Sequence, residues 1–154
     1  THYGAKLDWL DPWRRGPYLG LRAYAASKLA CLLFIYELAR RLGPGSPVRT
    51  YAVDPGLVNT DLGSKDGSLA ARIVWGLRRR GGVSPEQGAE TPLFLATAPG
   101  SGPDTGLYWK LCAPVPSSPA GRDPEAARRL WALAERLCSI PEATWGRPEA
   151  YRPT

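Results

Sequence analysis

The sequence has 154 residues, of which 44% are hydrophobic and 22% charged, and its formal net charge is +6. This length and composition predict one globular domain with a hydrophobic core, and no apolar run is long enough to span a membrane. One histidine and three scattered cysteines argue against a metal site and against a Ser-His-Asp triad.

The first predicted element is a helix over residues 21–42, where apolar residues recur at helical spacing. Arg40 and Arg41 occupy its last turn, and Gly43 ends it. Such arginines complement the helix dipole and stay solvated. Because no nucleic-acid-binding motif accompanies the arginine runs, we predict no nucleic-acid partner. Cys31 and Cys138 fall inside helical patterns and are interpreted as small apolar residues.

Residues 48–53 (VRTYAV) predict a short strand, buried and parallel, because β-branched and aromatic residues dominate it. A glycine-containing loop follows, and then a short amphipathic helix near residues 68–80. Ser84 and Gln87 form a potential capping box for a helix that reaches about Ala98. Pro92 inside this helix predicts a kink or an early break.

The last elements are a strand over residues 105–112 and a helix capped by Asp123 that ends near Cys138. The alternation of helices and strands predicts an α/β protein. Two strands make an incomplete sheet, so its remainder is expected upstream of Thr1. We therefore interpret residues 1–140 as a partial domain and residues 141–154 as a disordered tail.

Tyr24 and Lys28 stand four residues apart near the start of the first helix, so they share one helical face. A free tyrosine ionises only near pH 10, and needs a positive charge to act as an acid/base at neutral pH. At an effective dielectric near 20, a unit charge about 4 Å away contributes about 4 kcal/mol. The pair thus suits acid/base catalysis, although a Tyr and a Lys at this spacing also occur by chance.

The segment YAASK (residues 24–28) resembles the Tyr-x-x-x-Lys signature of the short-chain dehydrogenase/reductase superfamily, and PGLVNT (residues 55–60) resembles its Pro-Gly-x-Val-x-Thr segment. The helix ending in ELARRL is similar to the retinol dehydrogenase-like branch. The resemblance implies the C-terminal half of a Rossmann-like doubly wound parallel sheet, without the N-terminal dinucleotide-binding half.

The resemblance also implies an oxidoreductase that transfers hydride between a nicotinamide cofactor and a lipophilic alcohol or aldehyde, such as retinol or retinal. The cofactor would be NADP or NAD, and the resemblance favours NADP. Tyr24 would be the general acid/base, and Lys28 would favour its phenolate and bind the nicotinamide ribose. Val58 and Thr60 would hold the carboxamide, and Pro55 and Gly56 would shape the loop beside the cofactor.

The lid over the substrate would include four apolar residues: Leu62, Leu69, Ile73 and Trp75. An ordinary amphipathic surface helix explains the same pattern equally well. Arg78–Arg80 beside this segment also permit a peripheral membrane contact. The resemblance leaves open a cytoplasmic location or one at the endoplasmic reticulum membrane.

The departures from the family pattern support an alternative. The sequence has no glycine-rich dinucleotide fingerprint, because residues 100–106 precede a strand rather than follow one. The family's catalytic serine is also missing, and Ser27 cannot replace it, since it lies inside the helix. The alternative is a catalytically inactive fragment or truncated isoform that acts at most as an interaction module. In either case, residues 1–154 alone are expected to bind a nicotinamide dinucleotide poorly.

Overall fold

The computed structural model describes residues 2–9, 20–58, 82–97 and 104–139. Its elements, in chain order, are α1 (Gly20–Leu42), β1 (Tyr51–Asp54), α2 (Pro85–Thr97), β2 (Leu107–Lys110), β3 (Ala113–Pro114), a 3₁₀ helix (Pro119–Arg122) and α3 (Pro124–Cys138). The strands form one small mixed sheet in the order β1-β2-β3, with β2 and β3 antiparallel. The α/β class is confirmed. The helix predicted near residues 68–80 and the tail over 141–154 lie outside the described residues.

The chain divides into two compact units. The described part of the first unit comprises residues 2–9, 20–52, 104–107 and 116–139. The second unit comprises residues 53–58, 82–97 and 108–115.

The core of the first unit lies where α1 packs against α3. Leu29 and Leu33 of α1 meet Ala5 and Ala127 in one buried cluster. These leucines belong to the apolar stripe that predicted the helix, and the helix begins within one residue of the predicted start. Cys31 is exposed, contrary to its interpretation as a packed apolar residue. It lies two residues past Leu29, which turns it about 200° away from the core face.

A buried carboxylate organises the end of α1. Glu37 is 4% exposed and accepts hydrogen bonds from Arg40 Nη2 at 2.7 Å and Arg41 Nε at 2.8 Å. The Arg41 guanidinium also lies over the Trp131 ring, 4.7 Å from its centroid. A buried charge is costly unless it is paired, and these two arginines pair it. Arg41 is thus only partly solvated, with a side chain that is 30% exposed, and it contributes to the ion pair as well as to the helix end.

Gly121 allows the 3₁₀ helix to lie directly against α1. A Cβ placed there would overlap Leu32 Cδ2 and lie 3.2 Å from Leu32 Cγ. Leu32 is 3% exposed, so it has little room to move. We expect Gly121→Ala to lower the free energy of unfolding by about 1–3 kcal/mol, measured by urea denaturation.

Gly45→Ala is the matched control for this variant, because a Cβ at Gly45 would meet nothing within 4 Å. Its expected effect is within about 0.5 kcal/mol. Equal effects of the two substitutions would show that the Gly121 contact carries no packing constraint.

The predicted helix caps are present. Ser84 N donates to Gln87 Oε1 at 2.9 Å, and Gln87 N donates to Ser84 Oγ at 3.3 Å, which completes the capping box. Asp123 Oδ1 accepts from Glu125 N at 2.9 Å at the start of α3. The predicted early break at Pro92 is wrong, since α2 continues to Thr97. Proline removes a single helical hydrogen bond there, and this loss does not end the helix.

The strands differ from prediction. β1 begins at Tyr51 rather than at Val48, which is 55% exposed. All four β1 residues are only partly buried, because β1 is at an edge of the three-stranded sheet. The strand predicted over 105–112 ends at Lys110, where a two-residue turn leads into β3. Its central residues, Leu111 and Cys112, have φ of 51° and 58°.

Candidate active site

Tyr24 and Lys28 lie on one face of α1, as their spacing predicts. The Lys28 Nζ atom is 5.3 Å from the centroid of the Tyr24 ring. Tyr24 is 51% exposed, and Lys28 is also exposed. Leu29 and Leu33 hold the same helix in the core of the first unit. A fixed helix therefore presents a phenol and an ammonium in contact on an open surface, where a ligand can reach both groups.

Ser27 follows Tyr24 on the helix, and its hydroxyl is directed to the main chain. Ser27 Oγ donates to the Tyr24 carbonyl oxygen at 2.8 Å. This is a local bond of the kind that serine forms inside helices. It agrees with the expectation that Ser27 does not supply the missing catalytic serine.

The loop predicted to lie beside the cofactor begins where β1 ends, and it belongs to the second unit. Gly56 has a φ of 77°, a left-handed value that glycine adopts without strain. Leu57 O accepts a hydrogen bond from Val83 N at 2.9 Å, and Val58 pairs with Val83 in an isolated parallel bridge. Pro55 is exposed. These contacts give the loop a fixed backbone path.

The Val58 side chain also lies close to the backbone of α2 at Gly88. A Cβ at Gly88 would lie 2.6 Å from Val58 Cγ2, so only glycine fits at this position of the helix. Gly88 is buried, and its amide bonds to the Ser84 carbonyl within the first turn of α2. Sequence reasoning did not identify Gly88 because a glycine inside a helical pattern gives no indication of which residue it faces.

Five of the predicted site residues lie outside the described residues: Thr60, Leu62, Leu69, Ile73 and Trp75. The assignments of the carboxamide hydroxyl and of the lid therefore stay predictions. So do the catalytic and cofactor-binding roles of the described residues.

Asp54, the last residue of β1, is in contact with the predicted loop. Asp54 Oδ1 accepts from Gly56 N at 2.9 Å, and Asp54 Oδ2 accepts from Tyr108 Oη at 3.0 Å. Burial alone would raise the pKa of Asp54, but the bonds from Gly56 and Tyr108, with the charge of Lys110, outweigh it and lower that pKa. The Asp-Pro-Gly sequence is a turn signal that could have revealed the first bond, whereas nothing local indicates Tyr108.

The described residues contain no apolar helix of membrane-spanning length and no cluster of metal ligands. None of the helices in this part of the chain is long and apolar enough to cross a membrane. Across the same residues, no group of three or more metal-binding side chains comes together.

No family model matches the sequence, but individual relatives do. Dehydrogenase/reductase SDR family member 13 of Bos taurus is 39% identical over an alignment of 147 residues that covers 91% of this chain and 38% of that protein. Human retinol dehydrogenase 12 is 36% identical over 140 residues, covering 91% of this chain and 43% of that protein. Mouse polyprenol dehydrogenase is 38% identical over 141 residues, in an alignment that covers 89% of this chain and 41% of that protein.

The chain belongs to the short-chain dehydrogenase/reductase family. Its relatives include retinol dehydrogenases, as the helix ending in ELARRL predicted. This short-chain dehydrogenase/reductase chain spans about two fifths of the length of the curated relatives it matches. A crystal structure of an uncharacterised protein from Mycobacterium paratuberculosis has a TM-score of 0.58 and 29% identity to it. That likeness covers 90% of this chain and 47% of the other.

Proposed function

We propose that this chain is part of an NAD(P)-dependent oxidoreductase that interconverts lipophilic alcohols and aldehydes. The observation that carries the proposal is the contact between Lys28 Nζ and the Tyr24 ring, 5.3 Å from its centroid, on an exposed helix face. In this family's sequence pattern, that pair is the acid/base. The described sheet would accordingly be part of a doubly wound parallel sheet, with β3 as an antiparallel addition.

The work of Tyr24 is the movement of one proton. During oxidation its phenolate oxygen accepts the proton of the substrate hydroxyl, and during reduction its hydroxyl donates a proton to the carbonyl oxygen. A nicotinamide cofactor, when bound, would supply the hydride chemistry of the reaction. Lys28 places a positive charge beside the phenol and would bind the ribose hydroxyls of the nicotinamide end. Both groups are accessible enough for these contacts.

The cofactor's nicotinamide end would lie against the loop that follows β1. The turn at Gly56 lets the backbone approach a ligand without a side chain in the way. Val58 would offer its main chain to the carboxamide, and Thr60, outside the described residues, would offer its hydroxyl. These residues fit one end of a dinucleotide, and the family resemblance favours NADP over NAD.

The substrate is a small lipophilic molecule. The names of two relatives, retinol dehydrogenase and polyprenol dehydrogenase, specify isoprenoid alcohols as the substrates of those proteins. The predicted lid of this chain supplies matching apolar side chains in Leu69, Ile73 and Trp75. An apolar lid of this kind would exclude water from the reacting carbon.

The test uses the purified full-length oxidoreductase of which this chain is proposed to be part, with NADPH and retinal. We expect saturable quenching of protein fluorescence by NADPH and conversion of retinal to retinol, detected by chromatography. A small hydrophilic aldehyde serves as the control substrate and should be converted much more slowly. If folded protein gives neither saturable binding nor conversion of retinal or another lipophilic aldehyde, the proposed function is wrong.

A further inference from the structure

Asp54 joins two parts of the second unit through a single carboxylate. It is the last residue of β1, and its side chain is 24% exposed. Oδ1 accepts from the Gly56 amide at 2.9 Å, and Oδ2 accepts from the Tyr108 hydroxyl at 3.0 Å. Lys110 Nζ lies 3.8 Å from the same Oδ2. Because each oxygen has its own donors, the side chain cannot rotate without losing bonds on both sides.

The Gly56 bond fixes the first turn of the loop. A glycine at a φ of 77° can adopt many other backbone conformations at little cost, so its observed conformation needs an external contact. The downstream part of the loop has its own support, since Leu57 O accepts from Val83 N and Val58 pairs with Val83. Within the described residues, the side chain that accepts a hydrogen bond from the Gly56 amide is the Asp54 carboxylate.

The carboxylate is itself held in place from β2. Tyr108 belongs to the second unit and is only 6% exposed, so its side chain has little room to move. The Tyr108 hydroxyl donates a hydrogen bond to Asp54. Tyr108 is the first β2 residue that belongs to the second unit. The Asp54 carboxylate is charged at neutral pH, and a hydrogen bond to a charged acceptor is stronger than one to a neutral acceptor. The same two bonds help to lower the pKa of Asp54, although burial opposes them.

We propose that Asp54, oriented by Tyr108, is a positioning residue that sets the conformation of the loop over residues 55–58 and thereby the affinity for the nicotinamide end of the cofactor. The second half of this inference rests on the proposed function. The first half does not, because it concerns the conformation of the loop in the protein without ligand.

Three variants separate the contributions. Asp54→Ala removes both bonds, Asp54→Asn keeps an acceptor oxygen but loses the charge, and Tyr108→Phe removes only the hydroxyl that orients the carboxylate. Asp104→Ala, at an exposed aspartate of the first unit, is the control.

The first measurement is amide hydrogen exchange of Gly56 by NMR, without cofactor. We expect exchange about tenfold faster in Asp54→Ala, with smaller increases in Asp54→Asn and Tyr108→Phe.

The second measurement is the split between cofactor affinity and turnover. We expect Asp54→Ala to raise the NADPH dissociation constant about tenfold while kcat at saturating cofactor stays within about twofold, with partial rescue in Asp54→Asn. A substitution that only destabilised the protein would not produce this split.

The outcomes separate the two ideas. Gly56 exchange in Asp54→Ala and Tyr108→Phe equal to that of the control overturns the positioning role, whatever the cofactor does. Faster exchange with an unchanged NADPH dissociation constant overturns the link to the cofactor. If the unsubstituted full-length protein does not bind NADPH, the proposed function fails, and the Gly56 exchange still decides whether Asp54 positions the loop. Should Asp54→Ala not fold, the milder Tyr108→Phe gives the same comparison.

Discussion

Reduction of retinal by the Tyr24→Phe variant is expected to be slower by about 10²–10⁴-fold in kcat, which is the usual contribution of a positioned general acid. Phenylalanine keeps the ring that Lys28 contacts and removes only the hydroxyl that moves the proton. Because Tyr24 is 51% exposed and its hydroxyl has no role in the core, we expect the urea midpoint to be unchanged. The NADPH dissociation constant should stay within about twofold, since the loss affects only the transition state.

Tyr3→Phe is the matched control for this substitution. Tyr3 is 60% exposed, and its hydroxyl makes one long bond to the Pro116 carbonyl oxygen at 3.4 Å. We expect this variant to keep full turnover. Near-normal turnover in Tyr24→Phe would contradict the acid/base role, and equal losses in both variants would show that the effect is not specific to the active site.

Lys28→Ala is expected to lower kcat about a hundredfold and also to raise the NADPH dissociation constant about tenfold, because it removes both a charge near the phenol and a charge-assisted hydrogen bond to the cofactor. This double effect distinguishes the lysine from Tyr24, whose replacement should affect turnover alone. Steady-state kinetics at saturating retinal and NADPH fluorescence titration measure the two parameters separately.

Two further variants make the Lys28 result interpretable. Lys28→Met retains an unbranched apolar side chain that can cover the Tyr24 ring, so recovery in this variant would show that packing rather than charge is responsible. Lys6→Ala removes another exposed lysine of the first unit and should change neither parameter. If Lys28→Ala leaves cofactor affinity intact, the lysine does not bind the cofactor. Its remaining proposed role would then be to place a positive charge beside the Tyr24 phenol.

Local sequence patterns predicted the helices well. The apolar stripe containing Leu29 and Leu33 placed α1 correctly, and the capping residues Ser84 and Asp123 marked the starts of α2 and α3. The face shared by Tyr24 and Lys28 also followed from their spacing alone. All these features depend on residues within one or two helical turns of each other, where the geometry of the helix determines which side chains meet.

Local patterns predicted the strands and the polar contacts poorly. The turn after β2 places Leu111 and Cys112 at positive φ, which a sequence pattern would assign to glycine or asparagine. The Cys112 amide is held there by the Thr91 hydroxyl at 3.1 Å, a contact between residues 21 positions apart. Cys138 is exposed although its helical pattern suggested otherwise, because α3 directs other residues to the core.

The sequence by itself determined the family, the described helices and the helix face shared by Tyr24 and Lys28, since motif spacing and helical periodicity depend on neighbouring residues. Only the tertiary structure decided that Asp54 also accepts a hydrogen bond from Tyr108, and that Gly88 lies against Val58. Asp54 and Tyr108 are 54 positions apart, and no local rule relates residues at such a distance. Their meeting depends on how whole strands pair and pack, because the free energy that selects it is shared among many contacts of the fold.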